Sequence, residues 1–223
     1  MLDGLGRVGD ISRLAARIGL AVATPRDLGA LRDALLALPP INDVLSQCPE
    51  REVDEIIGPP LDCAEDLAAI LSTALVASPP ANAREGGFFQ QGFNTDLDDI
   101  LHTLTTAKDF LADLEVRERK RTGIHSLKVS YNRVFGYYLE VTKANLGLVP
   151  EDYIRKQTLS TGERYVTPEL ELWESKVLSA EERRKELEIT LLHQLIADLG
   201  AHVTRLLETA QRVAEVDCVA SLA

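Results

Sequence analysis

Apolar residues recur along most of this chain at steps of three and four, and in one stretch they change to steps of two. Ile11, Leu14 and Ile18, with Ala15 beside them, form one helical face in residues 1–23. Thr24-Pro25-Arg26-Asp27 is a helix start: Thr24 caps, Pro25 fits the first turn and Asp27 favours the positive end. Leu28, Leu31, Leu35 and Leu38 continue it as a buried stripe, and Pro39-Pro40 is expected to stop it, with a short helix over 41–47 to follow. Residues 51–60 are polar and end in Gly58-Pro59-Pro60, which predicts a short helix and then a loop. Asp62 is a candidate cap for a helix over about 63–76, with Leu67, Ile70, Leu71 and Leu75 inward and Ser78-Pro79-Pro80 ending it. The run 86–93, Gly-Gly-Phe-Phe-Gln-Gln-Gly-Phe, reads either as a short strand pair or as a tight extended loop. Asn94 or Thr95 then caps a long helix, about 97–121, whose seam is Ile100, Leu104, Ala107, Leu111 and Leu114. Its last turns, 115–121, are almost wholly charged and are expected to leave the core and project into solvent.

The period changes after Gly123. Leu127, Val129 and Tyr131 alternate as a half-buried strand does; residues 132–136 are the turn, and Tyr138, Leu139 and Val141 mark the return strand. A loop with Pro150 leads to a third strand over about 154–159, and Ser160-Thr161-Gly162 turns into a fourth over 163–166. Thr167-Pro168-Glu169 opens another helix, interrupted by Gly200 alone and expected to run nearly to the end of the chain, about 50 residues or roughly 75 Å. Its far half carries a seam at Leu192, Ile196, Leu199, Val203, Leu206, Ala210 and Val213, and its near half the charged run 181–186. Two helices that bear seams far from the β stretch and charge near it are simplest as an antiparallel pair on a helical base with the sheet at the tip. The fold class predicted is mainly α with an inserted small antiparallel β domain.

Composition agrees: of 223 residues 45% are hydrophobic but only 5% aromatic, which suits aliphatic helix seams. The longest apolar runs fall short of the ~18 residues of a membrane span. The start of the chain has no basic segment followed by an apolar run, as a secretory signal would. Cys48, Cys63 and Cys218 are odd in number and far apart, which suggests reduced thiols in a cytoplasmic setting. The net charge of −11 repels nucleic acid on average, yet residues 117–164 hold ten Lys or Arg against five acids. That segment is +5 and the rest −16, which places any electrostatic footprint on the β stretch.

The runs Lys128-Val129-Ser130-Tyr131-Asn132, Phe135-Gly136-Tyr137-Tyr138-Leu139-Glu140-Val141-Thr142-Lys143, Arg155-Lys156-Gln157-Thr158-Leu159 and Glu163-Arg164-Tyr165-Val166-Thr167-Pro168-Glu169-Leu170 strongly resemble the clamp region of the bacterial MutS DNA mismatch repair family. Val149-Pro150-Glu151-Asp152-Tyr153 belongs with them, and Ala23-Thr24-Pro25-Arg26-Asp27-Leu28 and Gly92-Phe93-Asn94-Thr95-Asp96-Leu97-Asp98 resemble the family's core, or lever, domain. The resemblance covers nearly the whole chain. It implies a discontinuous lever, residues 1–114 and 179–223, with a clamp inserted at 115–178. It implies a fragment, without the family's mismatch-reading domain and its Phe-x-Glu wedge, the connector, the first part of the core or the ATPase domain. No Gly-x-x-x-x-Gly-Lys-[Ser/Thr] phosphate loop occurs in these residues, so ATP and Mg belong to the full-length family and no cofactor is expected here. The partners implied are duplex DNA, a second MutS subunit and a MutL-type repair protein, in a bacterial cytoplasm at the nucleoid.

The candidate DNA-backbone residues are Arg155, Lys156, Ser160, Thr161, Arg164, Lys128 and Arg133, with Lys143 also basic in the same stretch. Many relatives place Lys or another polar side chain just past Thr-Leu; here Ser160-Thr161-Gly162 offers hydroxyls and backbone N–H groups without charge, so weaker clamp affinity is expected. Tyr131, Phe135, Tyr137, Tyr138, Tyr153 and Tyr165 alternate in a way that fits packing of a small sheet better than base stacking. Asp96, Asp98 and Asp99 sit where acids complement a helix start, and His102, His125, His193 and His202 have no ligand spacing with Cys. No catalytic constellation is legible, so the chain alone is not expected to be an enzyme. The rival class is a coiled-coil interaction module, which would not need a basic β tip.

Overall fold

The computed structural model describes residues 5–47, 60–132, 134 and 136–222. The expected short helix and loop over 51–59, and the residues Cys48, Arg133 and Phe135, lie outside them. The chain divides into two compact units, one drawn from 1–94 and 185–223 and the other from 95–184.

The first unit is helical. Helix α1 (Ile11–Gly19) is capped by Asp10, whose carboxylate accepts from the Arg13 N–H at 2.8 Å, and buries Ile11, Leu14, Ala15 and Ile18. Helix α2 (Pro25–Leu36) begins with a reciprocal capping box between Thr24 and Asp27 and buries Leu28, Leu31 and Leu35 completely. Pro39 and Pro40 do not stop it. It ends at Leu36, and the prolines sit in the first turn of α3 (Leu38–Ser46), where a missing N–H is no loss.

Helix α4 (Glu65–Ala74) is shorter than expected and is capped differently. Asp62 accepts from the Ala64 N–H two residues on, and Ala64 itself takes the left-handed cap position at φ 46°. Leu67 and Leu71 are inward but Ile70 is 46% exposed. At 3.6 residues per turn the stripe of Leu67, Ala68, Leu71 and Ala74 is centred about 90° away from it. The helix stops before Ser78 because Leu75 turns extended and pairs with Phe89, while Val76 N–H donates to the Phe88 carbonyl at 3.0 Å. The stretch 86–93 is thus an extended loop joined back by one bridge, and it buries Phe88 and Phe89.

The expected unbroken terminal helix is two helices. Helix α6 (Pro168–Gly200) ends in a turn at Ala201 and His202, whose N–H groups donate to Asp198 and Leu199, and α7 (Val203–Leu222) follows. Gly200 marks the break because glycine weakens a helix interior. Leu192, Ile196, Leu199 and Leu206 of the seam are buried, whereas Val203, Ala210 and Val213 are half-buried. Within this unit Glu188 is buried and both its oxygens accept from the Gly87 N–H, at 2.9 and 2.8 Å. Arg205 of α7 holds Asp62 at 2.6 Å and Asp66 at 2.8 Å. Cys63 is a buried thiol and Cys218 an exposed one, both free. Among the described residues no helix is long and apolar enough to cross a membrane.

The second unit joins helix α5 (Thr95–Thr122) and residues 168–184 of α6 to a four-stranded sheet. All five seam residues of α5 are buried. Phe110 stacks on Trp173 with ring centroids 4.3 Å apart, and Arg117, further along α5, pairs with Glu169, earlier on α6, so the two helices run antiparallel. The strands are β1 (Lys128–Asn132), β2 (Gly136–Thr142), β3 (Ile154–Thr158) and β4 (Gly162–Val166), antiparallel in the order β1-β2-β4-β3. A 3-10 segment, Lys143–Leu148, fills the connection that precedes Pro150. Leu139, Val141 and Tyr165 pack with Leu111, Leu114, Ile124, Leu127, Tyr153 and Leu170 into one core.

Arg205 hydrogen-bonds hold the Asp62 and Asp66 carboxyls below their ordinary 3.8. A depressed folded value stabilises above the unfolded one and is lost as pH falls through it. Thermal unfolding of Arg205→Ala should therefore give a lower Tm than the parent at pH 7, and the gap should close as falling pH protonates these carboxylates. A gap unchanged by pH would remove these ion pairs from the account.

Candidate nucleic-acid interface

The charged end of α5 does not project into solvent. Glu118 is only 5% exposed, accepts from the Tyr153 hydroxyl at 2.9 Å and from Arg121 Nε at 2.8 Å, and Arg121 also reaches Asp152 at 3.1 Å. Glu115 accepts from the Val129 N–H at 2.8 Å and pairs with Arg119 at 2.7 Å, and Arg119 Nε donates to the Leu127 carbonyl at 2.7 Å. The helix continues beyond its apolar seam by turning Glu115, Glu118 and Arg119 toward the sheet, while Arg117, Lys120 and Arg121 stay exposed. Burial, and then the Glu118 carboxylate, pushes the Tyr153 phenol well up. The Asp152 bond is the main reason the Arg121 guanidinium is held more firmly charged. Neither Glu115 nor Glu118 is legible as structural from hydropathy, since both read as solvated helix.

The aromatic residues pack. Tyr138, Tyr153 and Tyr165 are buried, Tyr153 and Tyr165 have centroids 5.7 Å apart, and of the five tyrosines only Tyr131 is half exposed. The Tyr165 hydroxyl donates to Glu163 at 2.6 Å, and burial with that neighbour pushes its pKa up to about 12.

The candidate cations divide into two sets. One face of the sheet carries a row across all four strands, Lys128, Glu140, Arg164 and Gln157. Arg164 lies 4.2 Å over the Tyr138 ring, donates to Gln157 at 2.8 Å and pairs with Glu140 at 3.4 Å; its side chain is 17% exposed. It is an internal brace more than an outward contact. Arg155, on the outer strand β3, is 63% exposed and pairs loosely with Glu163 at 3.4 Å. Lys156 is the extra residue at the bulge between Arg155 and Gln157, and it reaches Glu171 of α6 at 3.0 Å. Lys128 and Lys143 are exposed and have no ion pair among the described residues. Ser160 and Thr161 are exposed in the β3–β4 turn, which the Leu159 N–H closes by donating to the Gly162 carbonyl at 2.8 Å. The sheet thus brings Arg155, Lys156, Ser160 and Thr161 together on β3 and the turn that follows it, with Lys128 on the opposite edge strand. The sequence count of +5 overstates the local field, because Glu115, Glu169 and Glu171 from outside 117–164 neutralise cations within it.

Residues 92–183 match the model of MutS family domain IV. The chain is 46% identical over 219 residues to the DNA mismatch repair protein MutS of Myxococcus xanthus, covering 98% of this chain and 24% of that protein. It is 49% identical over 223 residues to MutS of Anaeromyxobacter dehalogenans, covering 100% and 25%, and 44% identical to MutS of Methanothrix thermoacetophila, covering 100% and 26%. The chain spans about a quarter of the length of these curated relatives.

Removing a buried carboxylate that satisfies a phenol and a guanidinium strands both. Glu118→Ala should cost about 3 kcal/mol in urea unfolding followed through Trp173 fluorescence, with Glu118→Gln milder because its amide oxygen still accepts from Tyr153. Hydrogen exchange should protect residues 115–122 as well as the seam at 104–114. Fast exchange there, or a neutral Glu118→Ala, would restore the solvent-projecting helix end.

Proposed function

We propose, from the match of residues 92–183 to the model of MutS family domain IV, that the chain serves DNA mismatch repair by gripping the duplex backbone. The family match over the sheet and its supporting helices is the observation that carries this reading. The contacts are to phosphate and read no base. Arg155, Lys156, Ser160 and Thr161 form the main contact, with Lys128 secondary, and Arg133 belongs to the same set by residue type and its place in the basic stretch of the sequence. Arg164 acts chiefly by bracing Gln157 and Glu140 beneath it.

In this reading residues 115–178 are the clamp, and 1–114 with 179–223 are the lever. The lever couples the grip to an ATPase elsewhere in the full-length protein, where ATP and Mg bind. A second MutS subunit closes the ring around DNA, and a MutL-type protein reads the result, in the cytoplasm at the nucleoid. Coupling of this kind favours a stiff joint. The Glu115 and Glu118 bonds make the end of α5 one body with the sheet, so a displacement of the helix is delivered to the cations and not absorbed on the way.

Fluorescence anisotropy with a labelled homoduplex tests the grip. Affinity should fall log-linearly with salt, with slope about −0.9 per phosphate contacted. Arg155→Glu with Lys156→Glu should weaken binding at least about tenfold, since it also leaves Glu163 and Glu171 unneutralised. Circular dichroism checks that the double variant folds. Equal affinity of parent and folded variant, or binding indifferent to salt, would overturn this set of phosphate contacts, and no binding at low salt would instead favour a coiled-coil interaction module that does not bind nucleic acid.

A further inference from the structure

Two carboxylates of α6 reach the sheet, and they are held in different ways. Glu174 is half-buried and accepts from the Tyr137 backbone N–H, which fixes this turn of the helix against β2. Glu171, three residues earlier and so on a neighbouring part of the helix surface, reaches Lys156 Nζ at 3.0 Å. Both side chains of that pair stay open to solvent, Lys156 at 42% and Glu171 at 45%. Lys156 reaches the helix because β3 bulges. Arg155 stands opposite Tyr165 and Gln157 opposite Arg164, which are adjacent on β4, so Lys156 has no partner in the ladder and turns out to α6. The other paired cations differ. The acids facing Arg155 and Arg164 lie on the sheet itself, and Glu163 is also tied to the Tyr165 hydroxyl at 2.6 Å. Glu171 comes from outside the sheet, and among the described residues its carboxylate bonds only to Lys156.

We propose that Glu171 is an autoinhibitory contact: a carboxylate carried by α6 that occupies Lys156 in the free protein and is displaced when a duplex phosphate takes its place. The inference rests on the grip proposed above and concerns its regulation by the helix. An exposed ion pair is weakly held, so a phosphate displaces the carboxylate readily. The carboxylate does not diffuse away, because the Glu174 bond keeps this part of α6 against the sheet. It waits beside the contact at high effective concentration and recaptures Lys156 whenever the phosphate leaves. Control of the grip therefore passes through the helix. A shift of α6 that carries Glu171 away from β3 frees Lys156 and strengthens the grip, and its return weakens it. By linkage, a bound duplex favours the shifted helix to the same extent. Salt acts on both partners of Lys156. It screens the Glu171 pair as well as the phosphate contact, so the two losses partly cancel and Lys156 adds less than a full contact to the salt slope.

The test is a double-mutant cycle of the parent chain, Glu171→Gln, Lys156→Ala and the two combined, each titrated with the same homoduplex over a range of salt. Glu169→Gln is the charge control: it lies two residues back, about 160° round the helix, and pairs with Arg117. Circular dichroism checks that every variant folds. Glu171→Gln should tighten binding about three- to tenfold and steepen the salt slope by up to about 0.9. With Lys156→Ala already present the same substitution should change affinity by less than about twofold, as should Glu169→Gln in the parent. An equal gain in both backgrounds, or one no larger than that of Glu169→Gln, would make Glu171 a general repulsive charge and end the proposal. Weaker binding by Glu171→Gln would make the acid a support for Lys156 and overturn it as well. In either case the grip stands if reversing Arg155 and Lys156 abolishes a salt-dependent binding. If the parent shows no salt-dependent binding, both fall.

Discussion

Glu118 is a carboxylate buried where a helix gives way to a sheet, and the arrangement of the second unit depends on it. Burying an ionised carboxylate costs several kcal/mol unless its oxygens are well bonded. Here one oxygen accepts from both Tyr153 and Arg121, and Arg121 passes the connection on to Asp152 in the loop before β3. The bond therefore joins the last turns of α5 to the part of the chain that leads into the outer strand. Tyr153 is itself in the core with Tyr165, Leu139 and Val141, so the polar bond and the apolar packing fix the same loop. Loss of either would loosen the loop that leads into β3, the strand that carries Arg155 and Lys156 and is otherwise held by its ladder with β4.

The same device recurs along both helices. Glu115 takes the Val129 N–H on the open edge of β1, and Glu174 takes the Tyr137 N–H where β2 extends past β4. The Glu174 carboxylate fills the place a side chain on Gly136 would occupy, and burial raises its pKa, so its bond to the backbone is made against a desolvation cost. Unpaired strand N–H groups invite pairing with other chains. Helical carboxylates cover two of them here, which gives part of the chain's acidity a structural use.

Helix existence was legible because burial follows the 3.6-residue period: Leu28, Leu31, Leu35 and the five seam positions of α5 are all inward. The strands were legible from alternation at Leu127, Val129, Tyr138, Leu139 and Val141, and their ends fall within a residue or so of the expected ones. What failed were judgements that need a third dimension. Pro39-Pro40 begins a helix as readily as it ends one, and which it does depends on Leu38 finding a buried place in α3. The break after Gly200 interrupts a seam that continues in register through Leu206, so periodicity alone passes over it. The charged turns at 115–121 were misread because hydropathy records that Glu118 is polar and is silent on whether Tyr153 and Arg121 are within reach. The candidate cations were found by type and stretch, but their division into paired and unpaired depends on Glu163, Glu171 and Glu140, which only the fold brings to them.

That division bears on how such a surface can work. Cations held by carboxylates present little net charge, so a duplex gains from them only by exchanging one anionic partner for another, at nearly balanced free energy. In the proposed function a grip built mainly from such pairs is weak and reversible, which suits contact with backbone that does not choose sequence. Unpaired lysines contribute by counterion release, which acts at longer range and depends on salt. A few of these beside several paired ones give early attraction without a deep trap. Of the carboxylates in these pairs Glu171 lies on α6, while Glu163 and Glu140 lie on strands of the sheet itself, so part of the acidity behind the −11 net charge sits inside the basic stretch.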